Sequence, residues 1–404
     1  MANTLKFGNG EWYGKKDTIL AYNDENSNYK PLPFDFSRAS KATVINKDGL
    51  IETVGSGEPR IDYKDDSKGA LLLEPSRTNY ITYSEDFSNA YWTKSDASVT
   101  SGFVSPNGTN NAFKLVEGVS NSEHYINGSG TTLTNMSHSI YVKSAGRSQI
   151  KLFDSSRGHY AWFNLDDGTI GSSTATSSSI TPMYNGWYRI TISKNSTGFS
   201  QFRLYLGVAE SDSYIGNGTS GVYIYGAQLE QGSYATSYIP TQGSTVTRLA
   251  DVCNNGANEQ VINSTEGVLY YEGSALANDG TTRIISLSDN TTSNRVLIKY
   301  DNIDNRLEFF VIVGGVAQYS FIDVVDDLLN YNKIAFKYKE NDFAVWVNGI
   351  ELDSNVSGNT LSANTLTTLK FQASNSASDF YGNVKEVKLY NTALTDIELQ
   401  ALTT

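Results

Sequence analysis

An all-β protein is what this sequence predicts: an extended N-terminal arm followed by two β-sandwiches. Three observations carry that reading. Short runs alternate with period two, as where Val222, Ile224 and Gly226 fall on one side and Tyr223, Tyr225 and Ala227 on the other. The chain is rich in Tyr (26) and Gly (34), and β-branched and aromatic residues sit among Ser, Thr and Asn, a texture of short strands and many turns. Helical periodicity is confined to one C-terminal segment. At 404 residues the chain is too long for one ordinary core, and 39% hydrophobic content is enough to build two.

Residues 1–76 read as the arm. Asn9-Gly10, Asp48-Gly49 and the glycines at 55 and 57 mark turns, and Pro33, Pro59 and Pro75 space the segment out. Residues 43–45 and 50–54 pair as a hairpin across Lys47-Asp48-Gly49. The run 70–73, bounded by Gly69 and Pro75, is a short buried strand. The arm docks either on its own chain or on a neighbouring subunit.

Residues 77–253 form the first sandwich, a jelly roll, with strands at 112–116, 137–143, 149–153, 161–165, 187–193, 201–208 and 222–230. The low-complexity run GSSTATSSS at 171–179 reads as a loop. The strand 222–230 closes this domain; the pattern then breaks at Gly232 and Pro240, and the tail 237–253 is apolar enough to be ordered and to pack back near the arm.

Residues 254–404 form the second sandwich, with strands at 268–271, 283–288, 295–300, 306–313, 333–339, 343–347, 368–371 and 384–390. Asn348-Gly349 is a two-residue hairpin turn. Thr395 followed by Glu398 is a capping box opening a short helix at 395–402, from which Ile397, Leu399 and Leu402 face inward.

Formal net charge is −12, with no long Lys/Arg run, which argues against nucleic acid and anionic membranes as partners. The one cysteine, Cys253, excludes an internal disulfide. The N-terminus lacks the charged and apolar regions of a signal peptide, and no run approaches 18 apolar residues, so synthesis in the cytoplasm without membrane insertion is expected.

Two blocks carry a resemblance. LLLEPSRTNYITYSEDFSNAYWTKSDASVT, YVKSAGRSQIKL, NGWYRITIS and GVYIYGAQLEQGSYATSYIPTQGSTVTRLAD, preceded by FSRAS, GLIE and PRIDY, resemble a domain of tailed-bacteriophage virion proteins. That domain is similar to the jelly-roll carbohydrate-binding modules found beside glycoside hydrolases. NKIAFKYKENDFAVWVNGIELDS with GNVKEVKLYNTALTDIELQALT resembles the concanavalin/laminin-G-like lectin fold. The resemblance implies a virion appendage (head fibre, tail fibre or spike) that assembles with other virion proteins. It further implies a homo-oligomer, by analogy a trimer, displaying its domains to host-surface glycans. The alternatives are a structural decoration or connector without ligand, and, less favoured, a glycan depolymerase. The jelly-roll modules often hold a structural Ca2+, for which Glu85, Asp86 and Glu230 are the corresponding residues.

Sugar recognition needs flat aromatic faces beside hydrogen-bonding groups. Alternation puts Tyr160 and Trp162 on one strand face; Tyr125, Arg203 and Tyr205 complete the candidate set. Trp162, Tyr205 and Trp187 equally suit a sandwich core. A glycosidase needs two carboxylates flanking the scissile bond. The pairs at 65–66, 166–167 and 326–327 sit in turns, and Glu351 with Asp353 is the nearest approach on a strand. His124, His138 and His159 share no metal-ligand spacing, so no enzyme is expected.

Overall fold

The structure, a computed structural model, describes residues 3–6, 13–15, 18–20, 34–65, 67–374 and 378–404. The protein is mostly β, built of antiparallel sheets with a short C-terminal helix. It divides into two compact units that do not follow the boundaries read from sequence. The terminal unit comprises Met1–Ser40, Val54–Pro75 and Ala250–Thr404; the central unit comprises Lys41–Thr53 and Ser76–Leu249. The chain therefore passes between units four times. The 1–76 stretch is not a separate arm: its described parts are shared out between the two units.

In the terminal unit two antiparallel sheets enclose one core. The larger runs in the order Ile350–Asn355, Phe343–Val347, Asn332–Lys339, Glu266–Ala275, Gly382–Tyr390, Ala70–Leu73, Ile61–Asp62. The smaller runs Val316–Val324, Arg306–Val313, Arg295–Tyr300, Arg283–Ser288, Thr368–Lys370. Alternate residues such as Leu269, Tyr271, Ile334 and Phe336 meet Ile285, Ile298 and Phe309 between them. Ala70–Leu73 is buried throughout and pairs Leu71 with Val384, so Leu71 and Leu73 belong to this core. The tail is ordered as expected: Val252–Asn254 pairs with Phe34–Ser37.

The Asn348-Gly349 turn forms with both residues at positive φ, 50° and 82°, the geometry of a type I′ hairpin. The helix Asp396–Thr403 carries the capping box, Thr395 accepting from the Glu398 amide while Glu398 reaches back to Thr395. Leu399 is buried with Val268, Tyr270, Ala344 and Trp346. Ile397 is the exception to the expected inward face. It is 81% exposed, because it sits in the first turn, two positions ahead of the packed residue and on the far side of a 3.6-residue helix. Thr395→Ala should lower the stability of this unit by about 1 kcal/mol, read as a shift in its urea midpoint.

In the central unit two long strands, Asn121–Ala145 and Tyr188–Gly207, pair with each other and run through both layers of the sandwich. Their register breaks between Thr134 and Met136, where Asn135 lies at φ 51°, and this bulge lets one strand serve two layers. In one layer Tyr188–Gly207 pairs with Gln149–Asp154, followed by His159–Asn164 and Thr169–Ser173. In the other, Asn121–Ala145 pairs with Gly221–Gln231, followed by Ala112–Glu117 and Ala97–Phe103. Ile126, Leu152, Phe163 and Leu204 pack with Leu115, Ile140, Ile190 and Ile224 in the core. Trp187 is buried with Ile51, Tyr141, Tyr225 and Tyr238 in a second cluster. The predicted hairpin forms from Ala42–Ile45 and Ile51–Val54.

The serine-rich run is not a loop. Thr169–Ser173 and Ser177–Pro182 are strands, the second paired along Tyr188–Gly207. The first is exposed at every position and the second sets the lone apolar side chain Ile180 against the core, so neither leaves an apolar alternation to read. Hydroxyl pairs hold the second in register, Ser177 to Ser193 at 2.8 Å and Ser179 to Thr191 at 2.6 Å.

Candidate functional site

The cross-strand register of the central unit gathers all five candidate sugar-binding residues on one sheet face, the face turned away from the core. One row reads Tyr125, Tyr205, Lys151, Trp162 across four strands; the next reads Asn127, Arg203, Phe153, Tyr160. Residues between them in sequence, Ile126, Leu204, Leu152 and Ala161, point to the core. Period-two alternation on each strand thus builds a continuous aromatic face.

Two cations lie against these rings. The Lys151 ammonium stands 4.1 Å from the Tyr205 centroid, 5.2 Å from Phe153, 5.3 Å from Trp162 and 5.7 Å from Tyr160. The Arg203 guanidinium lies 4.3 Å from the Tyr125 centroid. Arg203 donates to Asn127 Oδ1 at 3.0 Å and to the Tyr205 hydroxyl at 2.8 Å.

The two rows differ in exposure. Trp162 and Tyr205 are 5% and 3% exposed, whereas Tyr125, Phe153, Tyr160 and Arg203 are half-buried. Burial pushes the Tyr205 hydroxyl pKa up. The first row is closed by a strap, residues 208–215. Asp212 pairs with Lys151, and Glu210 accepts from the Ser172 hydroxyl at 2.7 Å. Gly207 lets the strap begin there, since a methyl at that position would overlap the Trp162 ring. Trp162 and Tyr205 are therefore supporting residues rather than an open stacking platform. Sequence reasoning placed them on the right face, but no periodicity announces a strap that crosses it.

The strap opens with a tight turn, Val208 and Ser211 exchanging amide–carbonyl bonds of 3.0 and 2.9 Å. Its central residues, Ala209 and Glu210, both sit at positive φ, 50° and 58°. This is a type I′ geometry that favours Asn-Gly. Ala209 is exposed, so Ala209→Asn should raise stability by roughly 0.5 kcal/mol, seen as a small increase in Tm.

The residues implied for calcium do not come together. Glu85 accepts from the Tyr225 and Tyr238 hydroxyls, each at 3.0 Å, and from Asn111 at 3.2 Å. Asp86 accepts from the Ser88 amide at 3.1 Å. Glu230 is fully buried and binds the Thr236 amide and hydroxyl, five residues and about 17 Å along the strand from Tyr225. They do not fit one shared ion. Among the described residues no three His, Cys, Asp or Glu side chains form a metal-binding group.

The other candidates are occupied locally. Glu351 and Asp353 lie on the strand Ile350–Asn355; Glu351 is exposed, and Asp353 accepts from the Tyr319 hydroxyl at 2.7 Å. His124 contacts the Asp96 carbonyl at 2.8 Å. His138 is fully buried and stacks on Phe202, and burial lowers its pKa to about 4. His159 also titrates below its ordinary value, through desolvation first. Asp66 lies outside the described residues.

A feature that sequence reasoning missed is a buried ion network in the terminal unit. Asp251 receives Arg38 Nη1 at 2.9 Å and Arg60 Nη2, while Arg60 Nη1 reaches Glu74 at 2.6 Å. Arg38 also donates to the Gly55 and Glu58 carbonyls at 2.6 and 2.9 Å. These four charges stand in FSRAS, PRIDY, LLLEP and RLAD, the segments that carry the first resemblance.

The model of the concanavalin A-like lectin/glucanase superfamily, laminin-G type, matches residues 274–400, and a concanavalin A-like domain occupies that part of the terminal unit. No curated protein matches the sequence. Similar solved structures include the CBM40 domain of a Ruminococcus gnavus IT-sialidase bound to α2,3-sialyllactose, with TM-score 0.32 and 13% identity over 37% of this chain and 94% of that one. Domain 4 of the Geobacillus stearothermophilus arabinanase AbnA, in complex with arabinotriose, gives TM-score 0.32 and 12% identity over 43% and 83%. Sheep galectin-11 with glycerol gives TM-score 0.22 and 12% identity over 31% and 88%. Likenesses this low carry no argument about ligand.

Proposed function

We propose that the protein binds a glycan on the half-open row Asn127, Arg203, Phe153 and Tyr160, with Tyr125 beside it, and acts by recognition rather than catalysis. One observation carries the reading. Two aromatic rings on this row are half-buried, Phe153 directly across from Arg203 and Tyr160 one strand beyond it. The Tyr125 and Tyr160 hydroxyls make no hydrogen bond within the described residues, and so suit the hydroxyls of a sugar whose apolar face lies on a ring. On the sequence resemblance of the 36–253 segment, this binding serves a tailed-phage virion appendage, a homo-oligomer with a trimer expected, in contact with host-surface glycans.

The strap favours a second reading, a structural virion connector whose aromatic face is closed. A host-cell or glycan-array binding assay on the full chain separates the two. Tyr160→Ala should weaken binding at least tenfold with unfolding unchanged. Trp162→Ala should instead cost about 3–5 kcal/mol of stability, as truncation of a buried aromatic does. An array without a single bound glycan would leave the connector.

A further inference from the structure

The two cations of this face differ in their partners. Lys151 is answered by Asp212, the strap's own carboxylate. Arg203 has no carboxylate within ion-pair distance among the described residues, unlike Arg147 with Glu117 and Arg157 with Asp154 in the same unit. Two of its five N–H donors are spent, on Asn127 and Tyr205, which leaves three. Those bonds also fix the plane of the guanidinium, and rings at 4.3 Å (Tyr125), 5.6 Å (Tyr205) and 6.0 Å (Phe153) partly desolvate it. A fixed, partly dry guanidinium with a free donor edge is the arrangement that takes a planar oxyanion well. The other nearby acid on this face, Glu123, is exposed, stands two residues along the strand from Tyr125 and acts on the Tyr205 hydroxyl through space, without an ion pair to Arg203.

We propose that the ligand is a carboxylate-bearing sugar, its carboxylate paired with Arg203 while its ring lies against Tyr160 and Phe153. This rests on the glycan-binding reading above and names the chemical class that the site selects. The acidic chain makes the selection local, because a net charge of −12 disfavours anions on average and binding one calls for positive charge at the site itself. The Lys151–Asp212 pair meanwhile cancels the cation of the strapped half of the face, so that the positive charge without an acid partner lies on the open row.

The test titrates the full-length protein with matched pairs that differ only at the acid: glucuronate against glucose, galacturonate against galactose, and N-acetylneuraminate against its carboxyl-reduced form. In at least one pair the acid should bind about tenfold or more tighter than the neutral sugar. The preference should shrink on raising salt from 0.05 to 0.5 M, values chosen about the range where screening sets in. Arg203→Gln should erase the preference and leave the weak neutral binding, and Arg203→Lys should restore part of it. Equal binding of acid and neutral sugars in every pair would overturn the carboxylate assignment and leave the glycan face standing. Absence of binding in all six would overturn both.

Discussion

Asp251→Ala is expected to cost the terminal unit about 3–5 kcal/mol, enough to abolish its cooperative unfolding transition or to move it far down in urea. Asp251 is buried and accepts from two buried arginines on separate segments, Arg38 and Arg60. Removing it leaves two guanidiniums with no solvent exposure, with Glu74 as the remaining carboxylate of the network. The loss is dominated by the stranded charges rather than by the missing bonds. Arg60→Met together with Asp251→Leu should therefore cost less than the sum of the single changes, since the charges of that one pair leave together, while Arg38 and Glu74 each still lose an ion-pair partner. Additive losses in that cycle, measured by urea unfolding, would show that the four charges are not coupled.

The second large effect is a dependence on pH through His138. Its ring is fully buried against Phe202, neither ring nitrogen has a hydrogen-bond partner among the described residues, and burial pushes its pKa down to about 4, with Asp154 opposing and Arg157 adding to the shift. In the unfolded chain the imidazole takes a proton below about pH 6.5; in the folded chain it does not until about pH 4. The unfolded state thus binds more protons through this window, and stability falls as pH drops across it. From this group alone the central unit should lose about 2 kcal/mol between pH 7 and pH 5 and roughly 3 kcal/mol by pH 4. Urea unfolding at pH 7, 6, 5 and 4 checks this. His138→Leu should flatten the profile over the same range without lowering stability at pH 7; an unchanged profile in that variant would assign the acid sensitivity elsewhere.

Much of the fold is legible in the sequence because it is local. Asn348-Gly349, the Thr395–Glu398 box and the Lys47-Asp48-Gly49 hairpin each act within a few residues, and each forms. The strands with one buried face, such as Ala112–Glu117 and Arg306–Val313, show their alternation directly. What is hidden is non-local. Thr169–Ser173 buries nothing and leaves no pattern. The charges at 38, 60, 74 and 251 meet only in the folded chain, and no spacing rule joins them. The candidate face is an intermediate case: alternation orients Tyr160 and Trp162, register adds Tyr125, Tyr205 and Arg203, but the closure of half of it depends on residues 208–215.

The four passages of the chain between units set an order of events during synthesis. The central unit has all its segments once residue 249 has emerged. Ala70–Leu73, by contrast, waits for its partner on Gly382–Tyr390, where Leu71 meets Val384, 313 positions later. At roughly 5–20 residues per second that is an interval of about 15–60 s. Throughout it an unpaired and wholly apolar strand edge is available to any neighbouring nascent chain. Expression yield should therefore respond more to temperature, translation rate and chaperone supply than the stability of the finished protein would suggest.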